Sequence, residues 1–185
     1  MISRSTIKSP IFLIAGAWAS IVLSCQPPDS QWEMKPIPIA TRWAQDVQPE
    51  TPWPEYPRPQ LKRESWHNLN GLWSYAIRPS DQEKPDIWDG KILVPYPVES
   101  ALSGVQQRLG EDQVLWYKTT ISVPGKWRGN RFLLHFEAVD WETRVWLDDQ
   151  LVGTHRGGYD SFSFDITEFL TLSADHELVV SVWDP

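Results

Sequence analysis

Six carboxylates fall within a short stretch of this chain: Asp140, Glu142, Asp148, Asp149, Asp160 and Asp165. Carboxylate pairs can act as acid, base or nucleophile on a glycosidic bond, provided they face each other at about 5 Å or about 6.5–9.5 Å. The local sequence offers a plainer role. Each of the six sits at a predicted turn or strand end, where short acidic side chains hydrogen-bond their own backbone. The four histidines, His67, His135, His155 and His176, are scattered, and no two have metal-ligand spacing. His135 falls mid-strand and His155 at a strand end, which points to structural hydrogen bonding. No Gly-x-Ser-x-Gly elbow and no phosphate-cradling glycine loop is present. Neither a metal nor a cofactor is expected from this inventory.

The one cysteine, Cys25, excludes an internal disulfide and a cysteine-built zinc site. Its surroundings suggest another use. Arg4 and Lys8 precede an apolar run, Pro10–Leu23, interrupted by Ser20. Val22-Leu23-Ser24-Cys25 resembles a bacterial lipoprotein signal, with residues 1–24 removed and Cys25 lipidated. The run is shorter than the ~20 residues that span a bilayer. The expected location is the bacterial cell envelope, periplasm or outer membrane, with the membrane as a partner through the lipid. A plain secretory signal is the alternative. The net charge of -7 provides no basic footprint, so nucleic acid is not an expected partner.

The elements that must position these groups are short strands. Residues 25–62 form a proline- and tryptophan-rich arm, in which proline cannot donate ladder hydrogen bonds. Part of it, Ile39–Tyr56, is expected to lie against a domain, with a solvated spacer as the alternative. Gly71–Ile77, Lys91–Val94 and Val114–Val123 read as strands separated by proline-bracketed loops, of which Glu99–Asp112 is the longest. Phe132, Leu134, Phe136 and Ala138 then alternate with polar positions, the period of a half-buried strand. Thr143–Leu147 and Leu151–His155 form a hairpin around the turn Asp148-Asp149-Gln150. Arg156-Gly157-Gly158-Tyr159-Asp160 breaks the ladder, its glycines permitting positive φ and Asp160 capping the corner. Phe162, Phe164 and Ile166 resume it. Thr167–Leu170 is a helical turn, and Glu177–Trp183, with Leu178, Val180 and Val182 on one face, is the last strand. Twelve tryptophans are an excess for 185 residues. Most are expected in packing, although an indole face also suits the apolar face of a sugar ring.

The run FEAVDWETRVWLDDQLVGTHRGGYDSFSFDIT, followed by ELVVSVWDP, resembles the N-terminal sugar-binding domain of glycoside hydrolase family 2. Leu69-Asn70-Gly71-Leu72-Trp73, Val94-Pro95-Tyr96-Pro97 and Leu115-Trp116-Tyr117-Lys118 resemble the same domain in the same order. The resemblance implies that residues 63–185 form an all-β jelly-roll (galactose-binding-like) β-sandwich after a signal peptide and the Pro-rich arm. It implies a retaining hydrolase of a terminal β-linked sugar, of the β-galactosidase and β-glucuronidase type, whose two catalytic glutamates lie in a later (β/α)₈ barrel. No catalytic residue is then assigned within this chain, and the expected partners are carbohydrate and the barrel. A glycine-isoleucine-aromatic strand normally follows the tryptophan-aspartate-proline motif, so a final strand of the domain is expected beyond Pro185. Arg108, Glu111 and Asp112 in the long loop, and Arg156, Tyr159 and Asp160 at the glycine corner, are the candidates for a substrate rim. The alternative function is a free-standing carbohydrate-binding surface lipoprotein.

Overall fold

The computed structural model describes residues 32–53, 64–171 and 174–185. The signal segment, Cys25 and much of the arm, including Tyr56, lie outside the described residues. Among the described residues the chain forms eight strands: β1 (Gly71–Pro79), β2 (Gly90–Val94), β3 (Gln113–Ser122), β4 (Leu133–Phe136), β5 (Glu142–Leu147), β6 (Gln150–Arg156), β7 (Phe162–Asp165) and β8 (Asp175–Trp183). Six of them form one antiparallel sheet in the order β2-β1-β3-β8-β5-β6, and β4 pairs with β7 in a second. Together they make a β-sandwich.

Side-chain alternation explains why these sheets stack. Val145, Leu147 and Thr143 of β5 are buried on one face, opposite Val180, Leu178 and Val182 of β8. Leu115 pairs with Val182 and Tyr117 with Val180, which carries the same inward rows across β3. Leu134 of β4 and Ile166, just after β7, close the core from the other side. Phe164 of β7 packs onto Gly153 of β6, where its ring fills the space that a Cβ would need. That glycine therefore serves close approach of the two layers.

The six-stranded sheet is also covered on its outer face. Ala76, Trp116 and Val179 are buried there against Trp88, Val114 and Trp146. Trp116 stacks on Trp146 at 5.4 Å, and Trp88 comes from the β1–β2 loop. With both faces covered, β8 buries every residue from Leu178 to Val182, not only the alternate three expected from the sequence. Ser181 is taken in because its neighbours on both sides are strands.

Several details differ from the sequence reading for local reasons. The β5–β6 hairpin turns on Asp148 and Asp149 alone, at φ +46° and +65°, with Gln150 already paired to Leu147. Positive φ at both central positions matches the right-handed twist of the flanking strands. The alternating run from Phe132 stops pairing at Phe136, where its partner β7 begins at Phe162, so Ala138 is exposed rather than inside. β8 begins at Asp175, because Asp175 and His176 still pair with Ser122 and Ile121. The long loop contains a 3-10 turn at Ala101–Ser103. Contacts of residues 32–53 with the sandwich fall at Trp32–Lys35 and Pro49–Trp53, whereas Ile39 and Trp43 are exposed.

Candidate functional site

Antiparallel registration brings several strand termini to one end of the large sheet. Pro79 pairs with Gln113, Leu115 with Val182, and Glu142 with both Trp183 and Arg156. So β1, β6 and β8 end where β3 and β5 begin. The loops meeting there are joined by hydrogen bonds to backbone carbonyls. Trp183 Nε1 donates to the Glu111 carbonyl at 2.7 Å, the Trp141 amide donates to the Trp183 carbonyl at 3.1 Å, and the Gly157 amide donates to the Trp141 carbonyl at 3.0 Å. Glu111, Trp183, Trp141 and Gly157 thus lie in one chain of contacts across the end. The Val94–Pro95 and Asp140–Trp141 peptide bonds are cis.

Most candidate residues from the sequence converge on this end. Glu111 and Asp112 immediately precede β3, and their side chains are exposed; the Asp112 carbonyl accepts the Ser80 amide at 2.7 Å. Arg156 closes β6 and is committed to Glu142 at 2.7 Å, which Arg144 also holds at 2.7 Å. The hydrogen bonds from the two guanidiniums keep the Glu142 carboxyl below its ordinary range. At the corner, Gly157 has φ +134°, as expected for a glycine turn, but Gly158 does not have positive φ. Gly158 is required for another reason: the Asp140 carboxylate occupies the space of its missing Cβ. Tyr159 is 96% exposed. Asp160 is exposed and makes no hydrogen bond among the described residues, so it does not cap the corner as expected. Arg108 is exposed in the same loop as Glu111, without a contact among the described residues that ties it to this end.

Three further groups belong to this end and escaped the sequence reading as site residues. Burial pushes the Asp184 carboxyl above its ordinary value, reinforced by repulsion from Asp140 and Glu99. Burial, with the Glu99 charge second, pushes the Tyr117 phenol upward. None of Glu99, Asp140 and Asp184 has an ion pair among the described residues. They stand at a cleft of about 1170 Å³ between the sheets, whose walls include Trp73, Tyr117, Leu134 and Val182. A usable signal was present for Asp184 and Asp140: one follows the last residue of β8 and the other precedes β5, so pairing of those strands must bring them together.

Asp148, Asp149, Asp165 and three of the histidines are held in structural contacts. Asp148 pairs with His176 Nδ1 at 2.5 Å, Asp149 with Lys84, and Asp165 with Arg131 at 2.6 Å. Bonds from Thr167 and Arg131 lower the Asp165 carboxyl to about 2. His135 lies 2.5 Å from Ser163 Oγ and stacks on Trp66, in keeping with a structural role. His155 is held by stacking on Phe162 at 4.0 Å, and its buried Nε2 has no hydrogen-bond partner among the described residues, contrary to the expected hydrogen bond. Trp146 is the packing residue expected, and Trp141 is 40% exposed at the loop end. Among the described residues no three His, Cys, Asp or Glu side chains gather where they could hold a metal ion.

Comparison with known proteins fits this arrangement. Residues 91–185 match the model of "Glycosyl hydrolases family 2, sugar binding domain". The chain is 26% identical over 133 residues to a β-glucuronidase of Paenibacillus borealis, covering 69% of this chain and 22% of that protein. It is 39% identical over 57 residues to a β-galactosidase of Thermoanaerobacter pseudethanolicus, covering 31% and 8%. The solved β-glucuronidase of Faecalibacterium prausnitzii superposes with a TM-score of 0.53 at 25% identity, covering 66% of this chain and 22% of that one. The chain therefore spans less than a quarter of the length of each relative.

Proposed function

Since the chain belongs to glycosyl hydrolases family 2, through the sugar binding domain at residues 91–185, we propose that it is the N-terminal accessory domain of a larger, exported enzyme. That enzyme hydrolyses the O-glycosyl bond of a terminal β-linked sugar, a β-glucuronide or β-galactoside. The catalytic acid and nucleophile are supplied by polypeptide outside these residues, in a barrel against which this domain packs. The domain contributes scaffold and a substrate rim.

The observation that carries this reading is the meeting of the Glu99–Asp112 loop, the glycine corner and the end of β8 at one end of the large sheet. A sugar presents several hydroxyl donors. Carboxylates without cationic partners among the described residues, such as Asp140 and Asp184, are suited to accept from them. Exposed Glu111, Asp112, Tyr159 and Asp160 extend the rim, with Arg108 on the same loop, while Arg156 serves it indirectly by fixing Glu142 and the start of β5. Trp141 offers an indole face beside them.

The cleft supports the jelly-roll form of the sandwich. It is lined continuously by residues 131–140, on both alternating sides of β4, as a groove running along a strand edge would be. An additional strand beside β4 fills such a groove, pairs the edge of β4 that has no strand partner among the described residues and covers the apolar wall. In this reading Cys25 carries the lipid that anchors the enzyme in the cell envelope.

Two measurements test the proposal. An open reading frame that continues past the Pro185 codon should yield a protein that turns over an aryl β-glucuronide or β-galactoside. The chain of 185 residues alone should give only background. Turnover by the short chain, or none by the long one, would contradict the assignment. For the anchor, labelled palmitate should enter the wild type and not Cys25→Ala; equal label in both would remove the lipid from the account.

A further inference from the structure

We infer that Trp32 is a positioning residue, clamping the loop that follows β2 from outside the sandwich. Within that loop, Ser103 is fully buried and organises the chain around itself. Its Oγ lies 2.7 Å from the Ser100 carbonyl and accepts the Val105 amide at 3.0 Å. The 3-10 turn Ala101–Ser103 then ends in Gly104 at φ +81°.

The carbonyls of this turn are taken by the segment that begins at Trp32. Trp32 Nε1 donates to the Leu102 carbonyl at 3.0 Å, and the Lys35 amide donates to the Ala101 carbonyl at 3.0 Å. The indole lies so close over Gly104 that a Cβ there would be 2.6 Å from Trp32 Cδ1. Glycine at 104 therefore meets two demands, left-handed backbone and room for the ring. The same segment touches the loop base again, where Tyr96 Oη donates to the Pro52 carbonyl at 3.3 Å. At its far end the loop is pinned by Trp183 on the Glu111 carbonyl.

Residues 105–110, including Arg108, thus span between two tryptophan contacts, one of which comes from a segment distant in sequence. Without the indole, the Leu102 carbonyl loses its donor and Gly104 its cover. The span then loses its anchor at residues 101–104, while the Gln107 amide keeps the Val98 carbonyl at 3.1 Å and Glu111 and Asp112 keep Trp183 and Ser80, so the loosening falls on residues 104–106 and reaches Arg108 through them. That these residues form a substrate rim rests on the functional reading above; the clamp does not.

Amide hydrogen exchange on the full chain tests the clamp without reference to sugar. In Trp32→Ala, the amides of Val105 and Gln106 should exchange about tenfold faster, the scale of one lost hydrogen bond and its packing. Amides of Tyr117 and Val180 in the large sheet should keep their wild-type rates. Trp32→Phe keeps a ring over Gly104 but lacks the donor, and should give an intermediate, loop-confined increase. Unchanged loop exchange in Trp32→Ala, or acceleration equal across loop and sheet, would overturn the inference. If Trp32→Ala does not fold, Trp32→Phe decides alone: loop-confined acceleration supports the clamp, and wild-type exchange refutes it.

Discussion

The two ends of the large sheet are built from similar residues and differ in how their charges are matched. At the hairpin end, Asp148 accepts the Glu177 amide at 2.8 Å and pairs with His176, while Asp149 and Glu177 share Lys84, and Lys118 also reaches Glu177. At the opposite end, Arg144 and Arg156 hold Glu142, but Glu99, Asp140 and Asp184 stand at a cleft mouth without an ion pair among the described residues, and Trp141 and Tyr159 are exposed beside them. The first arrangement favours the folded state. The second raises the energy of the Asp184 carboxylate, through burial and the charges of Asp140 and Glu99. The contrast separates carboxylates that hold the sandwich through ion pairs from carboxylates that have none among the described residues.

The largest effect should come from the frame that both ends share. Leu178 is fully buried, between β3 and β5. Leu178→Ala should destabilise by about 2–5 kcal/mol, because the cavity adds to the lost burial. Thermal or denaturant unfolding measures this. A loss under about 1 kcal/mol would mean that the core is looser than its burial indicates.

A smaller effect belongs to the hairpin end. His176 is buried, and burial alone would lower its pKa. The Thr171 carbonyl and the Asp148 carboxylate outweigh that and raise it above 6.5. The hydrogen bond to His176 in turn brings Asp148 below 3.8. A raised imidazole stabilises fully below its ordinary value, and the contribution is lost as pH rises through the folded value. A lowered carboxylate stabilises above its ordinary value and loses that as pH falls through the folded one. The pair is thus at full strength between pH 3.8 and 6.5. His176→Ala should cost about 1–3 kcal/mol, and the difference from wild type should be greatest in that window. A penalty that kept growing up to pH 9 would contradict the pairing.

How much of this contrast was legible in the sequence varied with the range of the interaction. The strands were, because Val145, Leu147, Leu178, Val180 and Val182 alternate and Asp148-Asp149 is a turn by composition. The glycine corner was half legible: Gly157 needs its backbone freedom, but the reason for Gly158 is Asp140, eighteen residues earlier in the chain. Burial of Val179 was not legible, since it depends on a loop carrying Trp88 over the outer face. Nor was the acidic cleft mouth. Asp140 and Asp184 meet through the pairing of β5 with β8, Glu99 reaches them from the loop after β2, and each alone reads as an ordinary turn or terminal carboxylate. Asp160 read as a cap from composition, yet the corner closes through the Gly157 amide and the Trp141 carbonyl.

The central claim is that the unmatched end faces substrate and the matched end does not. The most direct test compares Asp184→Asn with His176→Ala in the longer enzyme, measuring kcat/KM on the aryl glycoside it turns over together with Tm. Burial and neighbouring negative charge disfavour the Asp184 carboxylate, so the amide should keep or slightly raise Tm at pH 7, with no gain in acid. It should nevertheless lower kcat/KM by about tenfold or more, the scale of a lost charged hydrogen bond. His176→Ala should lower Tm while leaving kcat/KM of the folded enzyme unchanged. Full activity in Asp184→Asn, or a loss of kcat/KM confined to His176→Ala, would contradict the account.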